Sequence, residues 1–307
     1  MQTFRDNFPR AKAFVSAAER TSVRQVLEET GPIDLLLASP ECRNHSCARG
    51  DRPRIEGSRE TALQVLRFAR VMRPRWIILE NVIHMRPWSR YAELLEKLES
   101  LGYCVAEQIL DAADFGVPQR RRRLFLICDR EGPAPTQLNR SKGRKRTAVT
   151  ILDRRGTWQT NPLKTPRRAT ATIERAKRAI RALGRETSFL LVYYGSDGAG
   201  GWQSLDVPLR TITTLDRFGL VEPSEAGHTL RMLQVPELMR AMGFGKEFKL
   251  LHGSRRDKIH LLGNAVCPPV IAAILSTLRS HTSAETFATG RMPRKEEWNL
   301  GCSAALP

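Results

Sequence analysis

The 307-residue sequence predicts an α/β fold built on a sheet with parallel strands, and three observations carry that expectation. Ile33 to Ala38 is a nearly continuous apolar run bounded by turn residues, as in a parallel strand covered on both faces, so a central strand is expected. Trp76 to Leu79 is a second short apolar run. Between the two, Ala62, Leu63, Val65, Leu66, Ala69 and Met72 recur at helical spacing until Pro74, with Ser58 as the expected cap. A strand, a helix and a strand in that order make a crossover unit whose strands lie parallel.

The remaining elements follow in order. From Asn7 to Ala18 the signals are mixed: Pro9 suits a helix start, Phe14 and Val15 a short strand, and the type stays open. Ser22 and Gln25 have capping-box spacing ahead of a Val23, Val26, Leu27 stripe that Gly31-Pro32 stops. Ser89 opens a helix with Leu94, Leu95, Leu98 and Leu101 on one face and Gly102 at its end. Tyr103 to Leu110 and Leu124 to Cys128 read as strands flanking the loop DAADFGVPQRRRR. From Glu131 the composition shifts to prolines and then to Arg140, Lys142, Arg144, Lys145 and Arg146, which marks a boundary. Ala171 to Leu183 reads as a basic helix of low burial, and Ser188 to Tyr194 as a strand running into the glycine-rich GSDGAGGW. That loop suits close backbone approach to phosphate or base edges, or a flexible hairpin, and both readings stand. Leu209 to Leu215 alternates like a half-exposed strand. Pro236 to Met242 is a short helix closed by Gly243. A turn at Gly263-Asn264 precedes an apolar helix from Pro269 to Leu278, and a loosely ordered tail follows.

Composition narrows the function. A formal net charge of +18 makes a polyanion the natural partner, nucleic acid ahead of an acidic membrane surface, because cations gain affinity by releasing counterions from phosphates. No run of about 18 apolar residues and no signal segment is seen, so a soluble, cytoplasmic protein with reduced thiols and no membrane partner is expected. The six cysteines lack paired short spacings, and Cys42, His45 and Cys47 have no second half-site, which argues against a metal.

Chemistry concentrates at one rim. Ser39-Pro40-Glu41 ends the first apolar run and delivers Cys42 beyond the carboxyl end of a strand, where open α/β sheets place their sites. A small buried hydrophobe is the commoner fate of a lone cysteine; a nucleophile is the sharper reading. Glu80-Asn81-Val82 ends the second run at the same edge if the strands are parallel. Arg120 to Arg123 form either a solvated basic edge or a recognition site for anions or bases.

On these residues the chain resembles the DNA cytosine-5 methyltransferases, from near its start to about Leu278. SPEC with Ser46 looks like that family's nucleophile loop, Glu80 to Val82 its acid motif, Gln119 to Arg123 its Gln-x-Arg-x-Arg motif, and LGNAV with Pro268 its final cofactor motif. The segment RMLQVPELMRAMGF, with Arg231, Glu237 and Gly243, is similar to the block after target recognition. The resemblance implies a Rossmann-like, S-adenosylmethionine-dependent methyltransferase sheet with a smaller, basic target-recognition domain. The boundaries it implies are 1–130 for the catalytic domain, 131–254 for target recognition, 255–280 for a return to the catalytic domain and 281–307 for the tail. Cys42 would add to carbon 6 of a flipped cytosine, Glu80 would donate a proton at ring nitrogen 3, and Arg121 and Arg123 would hold charge on the ring carbonyl. Asn264 and Val266 would touch the cofactor. Ser46, Gln119, Arg144, Lys145, Arg146 and Arg231 would face double-stranded DNA.

Two departures from the family pattern stand out. Glu41 and Arg43 flank the nucleophile where proline and glutamine are usual. The glycine-rich cofactor motif that opens the family has no counterpart before Asp6-Asn7-Phe8-Pro9. The sheet is therefore expected to be truncated at its start, leaving Leu35, Leu36 and Leu37 on an edge, with an upstream segment or separate chain supplying the motif. A bacterial or phage protein associated with the nucleoid, with a cognate restriction endonuclease as a further partner, fits this reading. The alternatives are a catalytically impaired DNA-binding fragment, a subunit of a split methyltransferase, and methylation of RNA by the same chemistry.

Overall fold

The computed structural model describes residues 1–45, 53–194 and 200–289. Its helices are α1 (Gln2–Asn7), α2 (Val23–Thr30), α3 (Glu56–Arg59), α4 (Gln64–Met72), α5 (Tyr91–Ser100), α6 (Thr170–Leu183), α7 (Val235–Ala241), α8 (Arg255–Asn264) and α9 (Pro268–Thr289). Its strands are β1 (Leu35–Ala38), β2 (Trp76–Asn81), β3 (Cys104–Asp111), β4 (Arg122–Asp129), β5 (Asn161–Pro162), β6 (Phe189–Val192), β7 (Trp202–Ser204), β8 (Phe218–Ser224) and β9 (Gly227–Met232). The chain divides into two compact units that interleave along the sequence instead of following linear boundaries. One comprises Arg10–Leu110, Arg122–Asn139 and the chain from Ala272; the other comprises Met1–Pro9, Asp111–Arg121 and Arg140–Ile271.

In the first unit the sheet order is β1-β2-β4-β3. β1 and β2 are parallel, with Leu35 opposite Trp76 and Ala38 opposite Leu79, as the crossover through α4 requires. β2 and β4 are antiparallel, with Glu80 opposite Phe125 and Asn81 opposite Leu124, which sets Arg123 just past the carboxyl end of β2. The core forms where the apolar stripe of α4 (Val65, Leu66, Ala69) and that of α5 (Leu94, Leu98) meet Ile77, Leu79, Leu124 and Leu126. Each such Val, Leu or Ile side chain contributes roughly 1.5–3 kcal/mol on burial. β1 is not central: among the described residues its one sheet neighbour is β2, and Leu37 is 53% exposed. An apolar run does not distinguish an edge from a centre, and the described sheet has Leu35, Leu36 and Leu37 on its edge strand. Ser58 does not cap the long helix, which is broken into α3, a 3-10 turn at Glu60–Leu63 and α4; its hydroxyl donates to Glu41 instead.

The second unit holds an antiparallel sheet of order β5-β9-β8-β6-β7 with α6 against it, around Leu163, Ala176, Ala179, Phe189, Leu191, Val221 and Leu230. The Leu209 to Leu215 stretch is extended but not a sheet strand. Leu209 N donates to Pro118 O and Leu209 O accepts from Arg120 N, so its alternation reflects contact with the 118–121 segment. The expected turn at Gly263-Asn264 is the last turn of α8, and the chain becomes extended at Ala265. Arg255–Ser280 is long and apolar enough by length and composition to cross a membrane. It is, however, two helices with an extended break, and Ile259, Leu262, Val270, Ile274 and Leu278 are buried. α9 continues to Thr289, into the stretch expected to be a loose tail.

Candidate active site

The rim of the first sheet builds a site from the ends of β1 and β2. Parallel strands in register bring Ser39-Pro40 beside Glu80-Asn81, and each of the two pairs is bonded. Ser39 Oγ donates to Glu80 Oε2 at 2.7 Å, and Asn81 Nδ2 donates to Pro40 O at 3.4 Å while its Oδ1 accepts from Val82 N at 2.8 Å. The loop that delivers Cys42 is thereby tied to the strand that delivers the acid. Arg123 completes the arrangement, with Nε 3.3 Å from Glu80 Oε1. Glu80 is only 7% exposed, and both carboxylate oxygens are held by donors.

Cys42 is half-buried and carries a thiol, not a disulfide, whereas Cys128 and Cys267 are fully buried. Burial pushes the Cys128 thiol up, as expected of an inert core cysteine. Beyond Cys42 the loop is pinned by His45 N donating to Cys42 O, by Ile55 N donating to Asn44 Oδ1 at 3.0 Å and by Arg59 Nε donating to Asn44 O at 3.2 Å. Glu41, which departs from the family pattern, accepts from Ser58 Oγ at 2.5 Å and so serves as a further tether. His45 is buried edge-on against Trp88, with ring centroids 5.2 Å apart and neither ring nitrogen hydrogen-bonded among the described residues. Burial, reinforced by the charge of Arg59, pushes its pKa down to about 4.

Several expected site residues lie inside the second unit. Gln119 is fully buried; its Nε2 donates to Ala241 O and its Oε1 accepts from Ile212 N, so it cannot reach DNA as expected. Arg121 is also buried, with its guanidinium donating to the carbonyls of Ile212, Gly263 and Ala265. The role expected for it on the substrate ring gives way to one of fixing the end of α8. Arg231 makes a bidentate, buried pair with Glu237 at 2.7 and 2.8 Å, and Glu237 also caps α7 through Gln234 N. It too is internal and not a DNA contact. In this unit, Asn264 is exposed, with Nδ2 3.1 Å from His260 Nε2, and Val266 is half-buried in the extended segment that follows.

Of the basic cluster, Lys145 pairs with Asp114 at 2.5 Å, while Arg144 and Arg146 are exposed. Ser46 and the first part of the glycine-rich loop, Gly195 to Ala199, lie outside the described residues. Sequence reasoning missed Ser39, Asn81 and Ser58 as supports of the site. A hydroxyl and an amide directly beside the two reactive residues were the signal that could have found the first two.

A family model described as C-5 cytosine-specific DNA methylase matches residues 1–280. The type II methyltransferase M.HgiDI of Herpetosiphon aurantiacus is 25% identical over 90% of this chain and 82% of its own length. M.AgeI of Thalassovita gelatinovora is 27% identical over 50% of this chain and 37% of its own, and M.AquIA of a Picosynechococcus species 36% identical over 34% and 48%. The chain therefore spans less than half the length of two of these three relatives. Among solved structures, the Entamoeba histolytica methyltransferase EhMeth superposes with a TM-score of 0.62 at 16% identity, covering 92% of this chain and 87% of that one. For the S. pombe methyltransferase Dnmt2 the values are 0.59, 14%, 92% and 87%. At these identities the likeness is one of fold, shared with known methyltransferases.

Proposed function

Because the chain belongs to the C-5 cytosine-specific DNA methylase family, we propose that it methylates carbon 5 of a cytosine in duplex DNA, using Cys42 as nucleophile. The observation that supports this most is the tethered rim, where Ser39, Glu80, Asn81 and Arg123 hold an acid beside the loop that carries a half-buried thiol. Cytosine is a weak carbon nucleophile, and covalent addition is the way to activate it. The Cys42 thiolate forms a bond to ring carbon 6, the electron pair moves towards nitrogen 3, and Glu80 donates a proton there. Carbon 5 is thereby made nucleophilic. S-adenosylmethionine, when bound, supplies the methyl group that this carbon takes. Loss of the carbon 5 proton to a base then expels Cys42 as its thiolate, nitrogen 3 returns its proton to Glu80, and the aromatic ring is restored. Arg123, with Nε 3.3 Å from Glu80 Oε1, orients the acid.

Asn264 suits a polar part of the cofactor. Its amide is exposed at the end of a helix that Arg121 anchors, and its Oδ1 is left available by the contact of Nδ2 with His260. Val266 would offer an apolar side to the same ligand. The target base must leave the helix stack to meet a thiol, so base flipping belongs to the proposal. A cytoplasmic protein bound to DNA is the corresponding setting.

Transfer of a labelled methyl group to duplex DNA, followed by nucleoside analysis, tests this reading. Label in 5-methylcytosine with wild type and none with Cys42→Ser supports it; equal incorporation by Cys42→Ser, or label on another base, contradicts it.

A further inference from the structure

The loop that carries Cys42 is fastened to one short helix from both sides of the thiol. On the amino side, Glu41 Oε2 accepts from Ser58 Oγ at 2.5 Å. Just past the thiol, Asn44 is 2% exposed; its Oδ1 accepts from Ile55 N at 3.0 Å and its carbonyl accepts from Arg59 Nε at 3.2 Å. Ser58 and Arg59 belong to α3, and Ile55 directly precedes its first turn. The helix is anchored in turn by Trp88, a buried member of the first unit's core, which donates from Nε1 to Glu56 Oε1 at 2.5 Å and packs its ring against His45. Loop, helix and core tryptophan thus close a ring of contacts, with Cys42 between the two points of attachment.

Neither part of this ring holds itself. A helix as short as α3 is not stable by propensity, and no side chain caps it. A proline before the thiol would fix φ covalently; Glu41 leaves that angle free, and the bond to Ser58 supplies the restraint instead. Glu41 is exposed and Ser58 half-buried, so their bond does little for the stability of the fold as a whole.

We propose that Asn44 and the Glu41–Ser58 pair are positioning residues for methyl transfer, clamping the chain on either side of Cys42 to α3 and so fixing where the thiol stands. The proposal rests on the Cys42 methyltransferase reading and adds to it the parts that hold the nucleophile in place. Rates depend steeply on such placement, since a displacement of about 1 Å costs roughly 100-fold. A merely structural role would lower the melting temperature and leave the rate per folded molecule unchanged.

The test measures methyl transfer to duplex DNA by the full chain at saturating S-adenosylmethionine, with KM for DNA and thermal melting recorded for every variant. Ser58→Ala and Glu41→Ala should each lower kcat about threefold to tenfold, the worth of one hydrogen bond, with KM within about twofold and melting unchanged. The double variant should lose no more than either single one, because both remove the same contact. Glu41→Gln keeps an acceptor for Ser58 and should recover most of the rate. Asn44→Ala should lower kcat by roughly 10-fold to 100-fold; if it does not fold, the surface pair decides alone. An unchanged kcat in Ser58→Ala, or a double variant whose loss is the product of the single losses, overturns the clamp, and 5-methylcytosine formed by wild type then leaves the Cys42 reading standing. If wild type forms no 5-methylcytosine, that reading falls and the clamp with it.

Discussion

Glu80 is held at both oxygens, by Ser39 on Oε2 and Arg123 on Oε1, and in the proposed mechanism this pair of contacts decides how the acid meets a ring nitrogen. Hydrogen bonds to charged groups are worth about 1.5–3 kcal/mol. Ser39→Ala should therefore lower the methyl-transfer rate by at least tenfold while DNA affinity stays within twofold, read from single-turnover kinetics and binding. An unchanged rate would make Ser39 a bystander. Glu80→Gln should slow transfer by roughly 100-fold to 10,000-fold, because it removes the proton donor itself. His45 sets a pH limit on stability. Above about pH 6.5 its ring is neutral in both the folded and the unfolded chain. Below that, the unfolded chain takes up a proton that the folded one, with a pKa of about 4, refuses. Stability is therefore full at neutral pH and declines progressively as pH falls from about 6.5 to 4, by about 3 kcal/mol. His45→Phe keeps an aromatic against Trp88 and should be spared this decline, so denaturant melts of the two proteins at pH 7 and pH 4 should diverge; parallel melts would contradict the assignment. Cys42 and Glu80 could be singled out in the sequence because the proposed chemistry needs a thiol and a carboxyl at strand ends. The arginine that serves them could not. Four in a row look alike in sequence, yet Arg121 turns inward to three carbonyls and Arg123 to Glu80, a distinction made only by tertiary contacts.

The elements with local signals were the legible ones. α2 begins where Ser22 Oγ accepts from Gln25 N, α6 ends at Gly184, and α7 begins at a capping box between Gln234 and Glu237. The β8–β9 hairpin leaves little trace in the sequence because its strands carry Gly219 and Pro223 and its turn, Glu225-Ala226, lacks an Asn-Gly or Asp-Gly signature. β5 and β7 are two and three residues long, too short for periodicity to show. The end of α8 resembles a turn in sequence because Gly263 reads as a breaker. Its true reason is contact: a Cβ there would lie 2.4 Å from Thr213 C and 2.5 Å from Thr214 N. Gly263→Ala should accordingly cost about 1–3 kcal/mol through overpacking against backbone. Gly57→Ala in α3, where nothing lies within 4 Å, should be neutral or slightly stabilising. Equal melting temperatures for the two variants would remove the close-approach argument.

For the whole chain, the formal charge of +18 points to a polyanionic partner but not to the cations that would meet it. The densest run in this region of the sequence, Arg144 to Arg146, is partly neutralised through the Lys145 pair with Asp114, which only folding makes. The order of the motif blocks conveyed the family, and the interleaving of the two units was invisible because it depends on which segments pack together. The claim on which the mechanism rests is the bond from Cys42 to the base. A duplex carrying 5-fluorocytosine at the target site, incubated with the protein and S-adenosylmethionine, blocks the final elimination and traps that bond. The expected result is a denaturation-resistant protein–DNA adduct, mapped by mass spectrometry to the peptide containing Cys42, undiminished by Cys104→Ser and absent with Cys42→Ser. An adduct of equal yield with Cys42→Ser, or one mapped to another residue, would contradict the account.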